Sequence, residues 1–312
     1  VTLLLHSATG NTRIVARDAV ARLREAGHVA RLHDVVHDGE PQLDACELLV
    51  VACPTMYFRP TLVMERAVER LPRLTGGPRP AALLATAGGM PGAHFEILAE
   101  LLRARGWVAL EAHWVQCVDS WPPHRVATRP VRPALPVVRA IERRVPAVRW
   151  YLHWLWPDVG EPDRAARDGL ESFVERMARS ARRFDPARTP APERLCNAPA
   201  FSRRLGRSVT GDKMQLITAI SLDSRRCSRC GTCAQVCPTG CFVVAAEGQV
   251  PTLHSAACTG CWACFQHCPT GAISGFAAPR GLGRYPGPSR RMRALFAPRG
   301  PTAPGEDPFG AP

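Results

Sequence analysis

The chain has 312 residues, of which 46% are hydrophobic and 21% charged, with 13 cysteines and a formal net charge of +13. That length accommodates two domains and a sizeable core, and the composition is that of an ordinary globular protein rather than a disordered one. Residues 120–215 hold 19 basic against 10 acidic residues, 1–119 hold 12 against 13, and 216–278 hold 3 against 2, so nucleic acid is not the expected partner.

Residues 1–119 alternate short apolar runs with amphipathic stretches. Strands are expected at Thr2–Leu5, Val29–Leu32, Leu48–Ala52, Ala81–Ala85 and Val108–Ala112, and helices at Thr12–Arg24, Leu62–Leu71 and Ala93–Arg105. This alternation predicts an α/β fold with a doubly wound, five-stranded parallel sheet, whose ligands bind beyond the carboxyl ends of the strands. The loops after the first, third and fourth strands are therefore the candidate site. The first reads Ser7, Ala8, Thr9, Gly10, Asn11, Thr12. Hydroxyls, a glycine and a helix N-terminus together offer donors and a positive dipole end to a phosphate, although Ser7 or Thr12 could instead merely cap the helix. It is neither a GxxxxGKS/T loop nor a GxGxxG turn.

This loop resembles the phosphate loop of flavodoxin, and the resemblance implies FMN. The second loop, Pro54, Thr55, Met56, Tyr57, Phe58, Arg59, Pro60, sets two aromatics where one could stack on an isoalloxazine ring, with Tyr57 the favoured one. The third, Thr86, Ala87, Gly88, Gly89, Met90, Pro91, Gly92, exposes backbone that can approach the ring's edge. Alternatively, Tyr57 and Phe58 are apolar plugs and the glycines ordinary turn residues. His94, His113 and His124 lie near these loops and could be proposed as proton donors, but single histidines of this kind more often pack or face solvent.

A closing helix is expected over Pro162–Phe184, where Leu170, Phe173, Val174, Met177 and Ala181 recur at helical spacing. The amino-terminal domain then spans 1–184, with an insertion at 120–160 that carries Trp150, Tyr151, Trp154 and Trp156 beside Arg139, Arg143, Arg144 and Arg149. Such a segment suits an internal or dimer interface, or peripheral contact with an anionic membrane, and is too short in its apolar run to span one. Residues 185–213 read as a linker. A first strand of the second domain is expected at Met214–Leu222, a hairpin at Phe242–Ala245 and Gln249–Leu253, and a flexible tail at 287–312.

The second domain, 214–286, carries two copies of CxxCxxCxxxCP: Cys227, Cys230, Cys233, Cys237, Pro238 and Cys258, Cys261, Cys264, Cys268, Pro269. The spacing predicts two [4Fe-4S] clusters in a small α+β dicluster ferredoxin-like domain. Because the fourth cysteine of each such run ligates the other cluster, cluster one is assigned Cys227, Cys230, Cys233 and Cys268, and cluster two Cys258, Cys261, Cys264 and Cys237. Zinc ribbons would need paired CxxC motifs at tetrahedral spacing, which the third cysteine and the CP step argue against. Val236, Phe242, Val244, Leu253, Phe265 and Ile273 would shield the clusters from water. Cys46, Cys53, Cys117, Cys196 and Cys241 show no ligand spacing and read as small apolar residues.

Along its length, through the Gly283-Arg284-Tyr285 turn after the second run, the chain resembles a family of bacterial and archaeal flavodoxin–ferredoxin fusions over residues 1–119 and 214–286. The resemblance implies an electron-transfer protein with FMN and two [4Fe-4S] clusters, exchanging electrons with other redox proteins. An arginine surface facing an acidic redox partner and a merely solvated surface both fit the charge distribution, since every basic residue except Lys213 is arginine. Two alternatives stand beside the carrier: a flavin-dependent oxidoreductase using a nicotinamide or small acceptor, and a ferredoxin with a flavin-free docking domain. Abundant thiols and the strand-like start at Val1–His6 suit a reducing compartment, the cytoplasm.

Overall fold

The computed structural model describes residues 1–118, 120–122, 162–187, 198–276, 278 and 284–297, with isolated residues between them. Five parallel strands, β1 (Thr2–Leu5), β2 (Arg31–Asp34), β3 (Leu49–Met56), β4 (Arg79–Ala87) and β5 (Trp107–Gln116), lie in the order β2-β1-β3-β4-β5. This is the flavodoxin-like strand order, with its switch point between β1 and β3. A two-residue return, Arg59–Pro60, pairs antiparallel with the end of β3.

Strand pleating divides the core cleanly. Leu3, Leu5, Val50, Ala52, Ala82 and Leu84 face one layer, and Leu4, Leu49, Val51, Cys53, Leu83 and Ala85 the other. The first layer packs α1 (Asn11–Glu25) and, beyond the insertion, α4 (Arg164–Arg182); the second packs α2 (Leu62–Arg70) and α3 (His94–Arg103). Strand β2 starts two residues later than expected because Val29, apolar in the sequence, is 77% exposed and the register with β1 opens at Thr2 and Arg31. In α4 the side chain of Asp163 caps the Ala166 N–H, and Leu170, Phe173, Val174 and Met177 are buried.

Three segments depart from the sequence expectation. Within the expected linker, Ala200–Ser208 forms helix α5. Its Arg203 and Arg207 pair with Glu96, and Arg207 also with Glu100, so the basic composition of this stretch neutralises α3 rather than solvating a tether. The expected strand Met214–Leu222 is instead a helix, α6 (Gly211–Thr218), followed by a two-residue strand β6 (Ser221–Leu222). Met214 and Thr218 are both fully buried one helical turn apart, a spacing that a short apolar run does not distinguish from a strand. In the expected flexible tail, helix α9 (Arg290–Leu295) is capped by Ser289 and buries Met292 and, just past its end, Phe296 in the layer of α1 and α4. The aromatic cluster Trp150–Trp156 lies outside the described residues. Among the described residues no helix is long and apolar enough to cross a membrane.

The second domain is built from very short elements: α7 (Thr232–Gln235), β7 (Phe242–Val243), β8 (Thr252–Leu253), α8 (Ala263–His267) and β9 (Ile273–Ser274). β6 pairs with β9 and β7 with β8, both antiparallel. The pairing swaps strands between the two cysteine repeats, so each repeat's strands pair with those of the other. Of the expected shielding residues, Phe242, Phe265 and Ile273 are buried, while Val236 and Leu253 pack at the edge of that core.

Candidate functional site at the sheet edge and the cysteine loops

A cavity of about 390 Å³ opens at the carboxyl edge of the sheet, within the usual size range of cofactor sites, about 300–1,000 Å³. Ser7, Thr9, Asn11 and Thr12 line it from the first loop, Pro54, Thr55, Met56, Tyr57 and Phe58 from the second, and Thr86, Gly88 and Gly89 from the third. Gly10 of the first loop is not on the wall, nor are Arg59 and Pro60 at the end of the second or Pro91 and Gly92 at the end of the third. Gly10 occupies the N-cap of α1 at φ 90°, and a Cβ there would press on the ring of Pro288 at 3.1 Å.

The first loop is held open by its own hydrogen bonds. The Ser7 hydroxyl accepts from the N–H groups of Gly10 and Arg13 at 3.2 and 3.3 Å, and α1 has no side-chain cap on its N-cap residue. Thr12 and Thr86, both buried, share a hydroxyl–hydroxyl bond of 2.7 Å that ties the first loop to the third. Among the described residues no lysine or arginine lines the cavity. An anionic group there would meet hydroxyls, backbone N–H groups and a helix dipole, the donor set of a helix-end phosphate site. Arg13 points away to Asp34 at 2.9 Å.

At the other end the walls are aromatic. Tyr57 and Phe58 both sit at positive φ, 53° and 62°, which costs a non-glycine residue about 1–2 kcal/mol each and persists only where the surroundings enforce it. Here the Phe58 carbonyl accepts from the Ala93 N–H at 2.8 Å, and Arg59 is gripped by Glu65 through two hydrogen bonds and donates to the Val209 carbonyl. Tyr57 meets Trp121 edge to face, ring centres 5.5 Å apart.

The loop after β5 was missing from the sequence expectation, yet Cys117, Val118, Ser120 and Trp121 all line the cavity. The rule that ligands sit beyond carboxyl ends of strands applies to the fifth strand as well and would have found it. Leu205, Val209 and Ile217, from α5, its end and α6, also line the cavity, although these segments carried no functional signal. Of the histidines considered as proton donors, His94 is fully buried, bonded to Thr55 and in contact with Cys53, and burial lowers its pKa to about 3. Burial likewise lowers His113 to about 4, and it stacks on Phe173 in the core. Both are neutral packing residues. His124 lies outside the described residues.

Cys261 completes the cavity wall, so the second domain is docked directly on the sheet edge. The Trp262 indole N–H donates to the Tyr57 hydroxyl at 3.1 Å, Gln266 donates to the Ser120 carbonyl at 2.7 Å, His267 contacts the Ala8 carbonyl at 3.1 Å, and the Tyr285 hydroxyl donates to Asn11 at 2.9 Å.

Among the cysteines of the two runs, one sulfur neighbourhood crosses the sequence repeats. Burial, and then the charges of Cys261, Cys258 and Cys237, raises the Cys264 thiol well above its ordinary pKa. Cys237, from the first run, is thus a neighbour of three sulfurs from the second. Burial first, with Cys227 and Cys230 next to it, pushes Cys233 up to about 11. Backbone N–H groups point at the sulfurs in the same way in both runs: Arg229 to Cys227 and Gly260 to Cys258 at 3.3 and 3.4 Å, Cys241 to Cys237 and Ala272 to Cys268, both at 3.2 Å. Such donors stabilise the charge of cluster-bound sulfur and raise its potential. Among the described residues no three His, Cys, Asp or Glu side chains gather as a single-ion site. Cys241 is buried beside Cys237, and none of the described cysteines is in a disulfide.

Residues 226–273 match the family of 4Fe-4S dicluster domains. No curated protein matches the chain. Among solved structures, similar ones include an archaeal flavodoxin (18% identity, TM-score 0.30, covering 36% of this chain and 80% of that one) and the two-electron reduced flavodoxin of Megasphaera elsdenii in solution (15%, 0.32, 36% and 84%). Another is a flavodoxin of Streptococcus pneumonia TIGR4 (13%, 0.37, 57% and 97%). At these scores the fold assignment rests on the strand order itself. The chain thus joins an α/β domain of flavodoxin-like strand order to a segment that matches 4Fe-4S dicluster domains, docked on its sheet edge.

Proposed function

We propose that the sheet-edge cavity binds FMN and that the protein exchanges electrons between this flavin and two [4Fe-4S] clusters, passing them singly to and from other redox proteins. The observation that carries this reading is the shared wall: Cys261, assigned to cluster two, lines the same cavity as the three loops of the sheet. A cofactor in that cavity lies against the cluster-two loop with no diffusing carrier between them. FMN supplies one- or two-electron chemistry when bound, whereas each cluster supplies one electron.

The residues divide the work by their chemistry. Ser7, Thr9, Asn11, Thr12 and the free N–H groups of the first turn of α1 hold the phosphate; Pro54 to Phe58 and Trp121 confine the ring, with Tyr57 as its stacking face; Thr86, Gly88 and Gly89 present backbone to its edge. Cys227, Cys230, Cys233 and Cys268 hold cluster one, and Cys258, Cys261, Cys264 and Cys237 hold cluster two. His94, buried and neutral behind Thr55, adds no charge to this wall over the physiological range. Unpaired thiols and low-potential clusters support a reducing compartment, the cytoplasm, as the location of the protein.

The test is an anaerobic redox titration of reconstituted protein, followed by visible and EPR spectra together, with iron and heat-released flavin counted on the same sample. About eight irons and one FMN per chain are expected. A protein that loads both clusters yet binds no FMN overturns the flavin assignment.

A further inference from the structure

The two cysteine repeats share a backbone but not an environment. In the second copy, the loop around Cys258 and Cys261 is docked inward. Gly260 is so close to α6 that a Cβ would lie 2.6 Å from the Thr218 hydroxyl, the Ala256 carbonyl accepts from the Gln215 side chain at 2.8 Å, and Cys261 lines the cavity. In the first copy the same turn, with φ 61° at Arg229 against 66° at Gly260 and the same N–H to sulfur bond, is open to solvent. Cys230 is exposed where its counterpart Cys261 is half-buried at the cavity wall.

The side chains change accordingly. Ala256, Ala257 and Gly260 of the docked copy correspond to Arg225, Arg226 and Arg229 in the open one, and all three arginines are exposed. They are also the only Lys or Arg residues between 216 and 278. Arg229 keeps a left-handed backbone that glycine would adopt without strain. The nearest acidic residue in sequence, Asp223, accepts the Arg225 backbone N–H at 3.0 Å.

We propose that this open loop is the docking port for an external redox protein with an acidic surface, and that electrons enter or leave through the cluster held by Cys227, Cys230 and Cys233. The inference rests on the cluster assignment above and adds an order: partner, cluster one, cluster two, cavity. Each encounter moves one electron, oxidising the partner's one-electron centre as cluster one is reduced, or the reverse, with no bond or proton change. The arginines steer the encounter and set its register; the exposed edge at Cys230 shortens the transfer distance.

The test uses the anaerobic holoprotein and an acidic plant-type [2Fe-2S] ferredoxin as the probe, with association followed by surface plasmon resonance and electron exchange followed at the cluster absorbance from low to high salt. Wild type should associate fast at low salt and slow steeply as salt rises. The R225E/R226E double substitution should slow association about 10- to 100-fold at low salt and flatten its salt dependence. R229G, which copies the docked loop, should weaken association about three-fold while raising the melting temperature. R31E, at the opposite end of the sheet, should leave association within about two-fold. The proposal is overturned if the double substitution changes nothing, if R31E slows association equally, or if the arginines prove to serve anionic phosphatidylserine vesicles while the ferredoxin fails to bind. Flavin is counted on each sample, so a flavin-free preparation that keeps the arginine-dependent association retains the port and sinks only the FMN assignment.

Discussion

The two halves of this molecule are stabilised by different means. The sheet domain is filled by bulky side chains with no exposure, Trp107, Phe95, Phe173 and the leucines of β1, β3 and β4, arranged in two layers by strand alternation. Past α6, among the described residues of the dicluster domain, no strand exceeds two residues, no helix exceeds five, and cysteines form much of the buried cluster. A unit of this size with so little secondary structure does not bury enough apolar area to fold alone. With the clusters proposed above, iron bound to its sulfurs would take the place of a hydrophobic core and couple folding to metal loading.

Removing one sulfur should therefore have the largest effect on that contrast. Cys264→Ser is expected to lower iron from about eight to about four or fewer per chain and to abolish hydrogen-exchange protection between β6 and β9, while β1 to β5 stay protected. Full protection of the second domain in iron-free protein would show that apolar packing suffices. The reciprocal change is Phe173→Ala, which empties the layer between α4 and the sheet and should cost about 3–5 kcal/mol in a denaturant titration of the sheet domain with iron content unchanged.

Acid should separate the halves next. Burial lowers His94 to about 3 from an ordinary 6.5, so between those values the unfolded chain binds a proton that the folded one refuses. Stability from this group is full above pH 6.5 and is lost as pH falls toward 3, at a limiting slope of about 1.4 kcal/mol per pH unit. His94→Gln should flatten the acid limb of the sheet domain's stability curve by up to that slope. An unchanged limb would mean that His94 is already protonated in the folded state.

Legibility follows the same division. Hydrophobic period-two and helical spacing made the five strands and four of the helices readable, and the cysteine spacing made the second domain readable without any core pattern. What the sequence hid depends on contacts between distant segments. Met214 and Thr218 read as strand until α6 is seen against Gly260, and the helix at Ala200–Ser208 looked like tether because its arginines are matched by Glu96 and Glu100, about a hundred residues earlier in the chain. Cys261 on the cavity wall was invisible for the same reason, being brought there by docking and not by a local motif, whereas Trp121 sits on the loop after β5, which the strand-end rule reaches.

Trp262 is where the two halves meet, and it carries the smallest effect and the sharpest test of their coupling. Its counterpart Gly231 adopts φ 74° without cost, whereas Trp262 holds φ 61° as a non-glycine residue, a strain of about 1–2 kcal/mol. The compensation is visible: the indole is 2% exposed, sits edge to face with Phe265, fills the space left by Gly275, and donates to the Tyr57 hydroxyl. Trp262→Phe keeps most of the packing and deletes the donor, and because Tyr57 retains Thr218 at 3.4 Å its hydroxyl is not left orphaned. The net loss should be about 1 kcal/mol, read as FMN binding weakened about five-fold with iron content and cluster EPR unchanged. Tyr57→Phe should have a similar effect, and the double substitution should add little to either single one, since both remove the same hydrogen bond. Additive losses would mean that Trp262 and Tyr57 act on the cavity separately, and that the dicluster domain only rests on the sheet edge instead of fixing the ring's stacking face.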